Sequence, residues 1–381
     1  MIYFDNSATT KPYKEVLHTF LRVNEDFYGN ASSLHNFGGK SEQLLTKARE
    51  QIATTFSVKP SEIYFTSGGT ESNNWAIKGI ALQHRNRGHH IITTKIEHPS
   101  VQAPLEQLKD LGFTITYLPV DENGVVSVKD VQAAITDETI LVSIMHVNNE
   151  VGSIQPIREI GELLQAYSKS IFHVDAIQAV GKIPLFLDEG CIDVCSVSAH
   201  KFHGLKGSGF LYIRQGIKIT PLLAGGEQEN KLRSGTENVA SIVAMAKALR
   251  MVEEKRTNTN SLQSVKNTIV HGLREIDAVH IHSTDEGAPH IINFSVDGVK
   301  GEVLVHALEE VGVIISTTSA CSSKQQQASH TLLSMGVSEQ AAKGALRISL
   351  SYENTVDEAN EFVHQFNHVL TRLLQVVRRK S

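Results

Sequence analysis

Residues 194–209, VCSVSAHKFHGLKGSG, decide how this chain is read. An apolar run over 192–197 stops at Ser198-Ala199-His200-Lys201, and a glycine-rich turn follows. A short β-type run bounded by small residues reads as a buried strand. Lys201 then stands at the lip of a sheet, where open α/β folds place their sites. A lysine so placed can form a Schiff base with an aldehyde cofactor. Taken alone, a lysine there is far more often a solvated loop residue.

Strand and helix signals alternate on the N-terminal side of this stretch. Strands are expected at 62–65, 90–94, 114–118, 139–146 and 171–174, with helices at 41–55, 75–84, 100–111, 128–135 and 157–167. Residues 210–213 follow without an intervening helix and should return antiparallel. The alternation predicts an α/β fold, a mostly parallel sheet with helices on both faces. A helix at 238–254 runs into the polar KRTNTN of 255–260, expected as a domain junction. Beyond it, strands at 279–282, 290–296, 313–317 and 345–350, with a helix at 301–311, predict a smaller α+β unit. A long helix from Val356 closes the chain, with a Thr355/Glu358 capping box and an apolar stripe of Phe362, Phe366, Val369, Leu370 and Leu373. The division expected is a large domain over 13–254 and a small one made of 1–12 and 255–381.

Composition narrows the function classes. The 381 residues are 41% hydrophobic and 20% charged with net charge −5, a globular balance without the basic run a nucleic-acid groove needs. No apolar stretch reaches the ~20 residues that span a bilayer, and MIYFDNSATT lacks the basic-then-apolar pattern of a secretory leader. Three cysteines make no even disulfide framework, so a reducing, cytoplasmic compartment is expected. The histidines lack metal-ligand spacing, and no metal is expected.

The residues able to carry chemistry sit at strand ends. Ser67-Gly68-Gly69-Thr70 joins a strand to a helix whose free N–H groups suit a phosphate, with the Thr70 hydroxyl as a further donor; a plain helix cap would use the same residues. Asp175, in FHVDAIQAVG, can keep a pyridine nitrogen protonated or can cap the next segment. Gln178 can donate to a phenolic oxygen of the same ring. His98, in TTKIEHPS, can stack on a flat ring and move protons, or be structural. Asn148-Asn149 closes another strand, and two adjacent amides there are expected to bind a ligand. Arg347, in ALRISLS, can hold a carboxylate in a forked pair or be an edge-strand arginine. Cys321, in the polar stretch TTSACSSKQQQASH, is expected to be exposed and nucleophilic, and Cys191 and Cys195 to be buried and inert. A phosphate seat, a ring-nitrogen carboxylate, a stacking histidine and a Schiff-base lysine in chain order point to pyridoxal phosphate.

Ten ordered motifs then resemble the cysteine desulfurases, fold-type I pyridoxal-phosphate enzymes of the class V aminotransferase family: YFDNSATT, GNASSLH, FTSGGTESNN, EHPSV, MHVNNEVG, HVDAIQAVGK, SAHKFHGLKGSGFLY, RSGTENV, TSACSS and LRISLS. The resemblance spans nearly the whole length. It implies that Lys201 is the Schiff-base lysine and that Gly69, Thr70, Ser198 and His200 bind the phosphate. Thr236 is implied to reach that phosphate from the other subunit of a homodimer. Asp175 is implied on the pyridine nitrogen, Gln178 on the phenolic oxygen, His98 on the ring face, and Asn149 and Arg347 on the substrate carboxylate. Cys321 matches the persulfide-forming cysteine, on a segment that resembles the long mobile loop of one desulfurase class. Asn230-Lys231 depart from a usual glycine-rich run, Ala31 stands where proline is common, and KQQQASH departs from the usual cysteine loop.

The implied reaction converts L-cysteine to L-alanine and leaves sulfur on Cys321 for an acceptor protein. No tail follows the terminal helix, which favours a dedicated acceptor such as a tRNA-thiolating enzyme over an iron–sulfur scaffold. A selenocysteine lyase and a catalytically silent sulfur carrier are the rival readings. No direct nucleic-acid or membrane partner is expected.

Overall fold

The computed structural model describes residues 1–258, 261–318 and 328–378, so the expectation placed on Cys321 lies outside the described residues. After a two-residue strand, β1 (Ile2–Tyr3), the chain builds a seven-stranded sheet. Its strands are β2 (Ile63–Thr66), β3 (His90–Thr94), β4 (Thr114–Leu118), β5 (Thr139–Met145), β6 (Ile171–Asp175), β7 (Val194–Ser198) and β8 (Gly209–Ile213), in the order β2-β8-β7-β6-β5-β3-β4. The pairs from β4 through β7 are parallel, and β8 runs against both its neighbours, as the missing helix before it predicts.

Strand alternation sorts the side chains onto two faces. Ile91, Leu141, Ile171, Val194 and Leu211 pack with Trp75 and Ile80 of helix Gly69–His84 and Leu105 of helix Pro99–Asp110. Ile92, Val142, Phe172, Cys195 and Phe210 pack with Leu45 and Ile52 of helix Asn36–Thr55 and Leu249 of helix Val239–Asn258. Burial on both faces is why these strands read as apolar runs rather than as alternating ones.

A second core forms around the antiparallel sheet β12-β13-β10-β9, made of β9 (Val279–Ile281), β10 (Ile291–Val296), β12 (Ser316–Thr317) and β13 (Leu346–Ser349); β11 (Val313–Ile314) pairs in parallel with β1. Helices Ser261–Arg274, Gly301–Glu310 and Val356–Arg378 cover it. In the last of these Phe362, Phe366, Val369 and Leu370 are buried, each large side chain contributing about 1.5–3 kcal/mol. Its capping box is present: Glu358 accepts from the Thr355 N–H and Thr355 Oγ1 from the Glu358 N–H, both at 3.1 Å.

Two expected elements change. The strand predicted over 313–317 divides at Ile315, because β11 pairs with β1 while β12 pairs with β13. The helix expected to end at Glu254 continues to Asn258; Arg256 pairs with Glu253 at 2.7 Å, and Lys255 pairs with Glu353. The N-terminal strand is confined to Ile2–Tyr3. From there the chain bridges Asp5 to Ser349 and then crosses to the large sheet, where the Thr10 N–H donates to His200 O at 2.9 Å.

Candidate active site

The carboxyl ends of β2, β3, β5, β6 and β7 open on one edge of the large sheet, the edge where such folds bind ligands. Lys201 ends a single tight turn, Ala199–Lys201, directly after β7. Its Nζ donates to Ala8 O at 2.9 Å and to Ser7 O, so the N-terminal segment lies against it. From behind, buried Lys182 donates from Nζ to Lys201 O at 2.6 Å, and burial first, then Lys201, pushes the Lys182 amine down to about 7.

Asp175 is the last residue of β6 rather than the residue after it. It is buried, with Oδ2 accepting from Asn73 Nδ2 at 2.8 Å and Oδ1 from the Ile177 N–H at 3.0 Å. It therefore caps the following turn and still has lone pairs for a ring N–H. Burial raises its pKa against the pull of Ile177, His98, Asn73 and Lys201. A carboxylate in that position gains from a cationic N–H partner. One residue pair below it along the strands, a polar row crosses the sheet. Thr93 Oγ1 donates to Ser143 O (2.9 Å), Ser143 Oγ meets His173 Nδ1 (2.8 Å), and His173 Nε2 meets Ser196 Oγ (2.9 Å). Full burial pushes the His173 imidazole down to about 3, keeping it neutral.

His98 does not end β3. It lies four residues further on, as the N-cap of helix Pro99–Asp110, half-buried, with burial lowering its pKa. Gln178 is buried and donates from Nε2 to Ser7 O at 3.1 Å, beside the Lys201 amine. Ser198 is buried at the end of β7, and His200 meets Thr9 Oγ1 through Nδ1 at 3.2 Å. Burial, with Lys201, Lys206 and Lys182 nearby, pushes His200 down to about 4.

The Gly68-Gly69 turn is shaped as a close-approach loop. Gly68 has φ +142°, a conformation side chains rarely adopt, and a Cβ on Gly69 would stand 2.2 Å from Ile177 Cδ1, so the end of Ile177 would have to move. Gly69 opens the 16-residue helix Gly69–His84 with Ser198 beside it and Thr70 exposed, an arrangement that suits an anion at the helix start. Arg233 forks onto Glu71 in the first turn of that helix at 2.8 and 3.2 Å, tying the segment that carries the exposed Thr236 to the same place.

Arg347 reaches the edge from the other sheet. It is 4% exposed, donating from Nη2 to Asp5 Oδ1 and from Nη1 to Asn149 O, both at 3.0 Å; its buried Nε has no partner among the described residues. Asn149 is half-buried, but Asn148 is a structural residue, contrary to the expectation for both amides. It is fully buried, donates to Ile96 O, and accepts from the Glu150 and Val151 N–H groups at 2.8 and 3.0 Å. Cys195 is buried, and its thiol is pushed up by burial. Cys191 is half-buried rather than buried, and burial with Glu162 and Glu189 raises its pKa too.

Sequence reasoning missed Asn73, Ser100 and Ser7. The first two link Asp175 to His98, with Asn73 Nδ2 on Ser100 Oγ at 2.9 Å and Ser100 Oγ on His98 Nδ1 at 2.8 Å. Ser7 offers its carbonyl to Lys201 and Gln178, and its buried hydroxyl has no partner among the described residues. Asn73 lies four residues past Gly69, one helical turn into the site, the only signal that could have found it.

A sheet edge holding a lysine, a buried carboxylate, a helix-start anion seat and a forked arginine is the layout of a cofactor-dependent group-transfer enzyme. The chain belongs to the aminotransferase class-V family, whose model matches residues 2–362. It is similar to a NifS/IcsS protein homolog of Lactobacillus delbrueckii subsp. bulgaricus, 46% identical over 97% of each chain. It is also similar to cysteine desulfurase IscS of Clostridium botulinum, 43% identical over 100% of this chain and 95% of that one. Among solved structures, a NifS-like protein superposes with a TM-score of 0.92 at 39% identity, covering 97% of this chain and 99% of that one. SspA in complex with cysteine follows at 0.82 and 35%, covering 92% and 99%.

Proposed function

We propose that the chain is a pyridoxal-phosphate-dependent cysteine desulfurase, which converts L-cysteine to L-alanine and transfers the sulfur. The observation that carries this reading is the convergence of Lys201, Gln178 and Arg347 on one segment, Asp5–Ala8, at the edge of the large sheet. The similar proteins named cysteine desulfurases and the cysteine complex of SspA support the reaction. No helix among the described residues is long and apolar enough to cross a membrane.

Bound pyridoxal phosphate supplies a sink for the electron pair left when the substrate's α-proton departs. Lys201 Nζ would hold the cofactor covalently, and it is the amine placed to take that proton. The Asp175 carboxylate keeps the ring nitrogen protonated, with Asn73 and the Ile177 N–H fixing its plane. Gln178 donates toward the phenolic oxygen. Gly69, Thr70, Ser198 and His200 cradle the phosphate, and the partner subunit's Thr236 completes that cradle in a homodimer. The Arg347 guanidinium and Asn149 orient the substrate carboxylate, and His98 covers the ring. The Cys321 thiolate attacks the substrate sulfur and the C–S bond breaks. Cysteine plus thiol thus become alanine plus a Cys321 persulfide, with atoms and electrons balanced. A sulfur-acceptor protein then takes the outer sulfur; a dedicated tRNA-thiolating partner is the acceptor we favour over an iron–sulfur scaffold. The cytoplasm is the compartment in which a working thiol stays reduced.

The test is to supply the cofactor-loaded protein separately with L-cysteine and L-selenocysteine and to quantify alanine. Alanine from cysteine, matched by sulfide when a reductant is present, is expected. Alanine from selenocysteine alone would make the chain a selenium-specific lyase and overturn the proposal.

A further inference from the structure

The cap at the start of helix Pro99–Asp110 fixes more than the helix. His98 Nδ1 accepts the Ser100 backbone N–H at 3.1 Å. A backbone N–H only donates, so in the neutral imidazole Nδ1 carries no proton and Nε2 must carry it. The Ser100 hydroxyl acts in the same sense. Both N–H bonds of buried Asn73 are committed, one to Asp175 Oδ2 at 2.8 Å and one to Ser100 Oγ at 2.9 Å. Ser100 Oγ therefore receives a proton from Asn73 and turns its own toward His98 Nδ1, 2.8 Å away.

We propose that Ser100 is a positioning residue that locks His98 as its Nε2–H tautomer, so that His98 meets the substrate as a hydrogen-bond donor and not as the base. The inference rests on the desulfurase reading for the identity of that substrate. Adding a second proton would put it on Nδ1, against two donors that already point there. Burial independently disfavours the charged ring, with Asp175 opposing and Lys201 reinforcing that effect. Removal of the α-proton thereby falls to Lys201, and the role left for His98 is to hold the ring face and donate from Nε2.

The test uses cofactor-loaded enzyme labelled with ¹⁵N-histidine, the His98 signals being those lost in His98→Gln. Nε2 protonated and Nδ1 unprotonated is the expected pattern. Ser100→Ala keeps the backbone donor and should keep the tautomer. Ser100→Pro removes both donors at a helix position that tolerates proline, and an Nδ1–H signal should appear. In Ser100→Pro, kcat should fall by roughly 10²-fold, the loss expected when one preorganised hydrogen-bond donor is removed. An Nδ1–H signal in the unmodified enzyme, or no change of tautomer in Ser100→Pro, overturns the proposal. The spectrum can be read in a protein that makes no alanine, so failure of the functional reading is separately visible.

Discussion

Lys201 and Arg347 are the two cations of the site, and the protein holds them in opposite ways. Lys201, from the parallel sheet, meets neutral backbone carbonyls of Ser7 and Ala8. Arg347, from the antiparallel sheet, meets the carboxylate of Asp5 and the carbonyl of Asn149. Arginine stays charged in any setting and its planar fork suits a carboxylate, whereas a lysine amine is the side chain that can serve as a nucleophile once deprotonated. In the proposed reaction Arg347 holds a carboxylate, and Lys201 is nucleophile and base. Four N-terminal residues, Asp5–Ala8, serve both.

The sharpest way to break this contrast is Lys201→Ala. It should abolish the visible absorbance of the covalently held cofactor and lower turnover by more than ~10³-fold. A borohydride-reduced adduct mapping to Lys206 would place the nucleophile elsewhere. Arg347→Ala should act on binding instead. Losing a charged hydrogen-bonding pair, worth about 1.5–3 kcal/mol, raises KM for cysteine roughly 10–100-fold, and an unchanged KM would remove the arginine from the carboxylate.

Behind Asp175, Glu97 is 4% exposed and accepts from Thr94 Oγ1 and the Met145 N–H; burial pushes its carboxyl up to about 8. A carboxyl raised on folding binds more protons in the folded state, so its contribution is present at low pH and lost as pH rises from about 4.5 toward 8. Glu97→Gln keeps the acceptor and removes the ionisation. Its Tm relative to the unmodified enzyme should rise between pH 5 and pH 8, and a constant difference would contradict the burial argument.

The smallest effect lies at the departure from the glycine-rich run. Glu229, Asn230 and Lys231 have φ of 47°, 55° and 66°, held in place by the Arg49–Glu229 fork at 2.8 and 2.6 Å. Left-handed backbone costs a non-glycine residue about 1–2 kcal/mol. Lys231→Gly should therefore raise Tm by a few degrees with turnover unchanged, and a lowered Tm would mean that the exposed Lys231–Glu227 pair matters more than the backbone.

Much of this was legible because the chemistry sits where strands stop. The end of the 192–197 run located Lys201, and the alternation before it located the parallel sheet. What stayed hidden depends on distance in sequence. Nothing local says that Asn73 reaches Asp175, 102 residues away, or that Asp5 pairs with Arg347, 342 residues away. Asn148 and Asn149 look identical in sequence, yet the first is buried and caps a turn while the second is half-buried and offers its carbonyl to Arg347. The divided strand at 313–317 was hidden for the same reason: its two halves have partners from opposite ends of the chain.

The most direct test of the desulfurase account is mass mapping of sulfur after a single turnover with isotopically labelled L-cysteine. The account predicts one labelled sulfur on the Cys321 peptide, one alanine per active site, and neither in Cys321→Ala that still binds cofactor. Undiminished alanine from Cys321→Ala, or label on Cys191 instead, would contradict it.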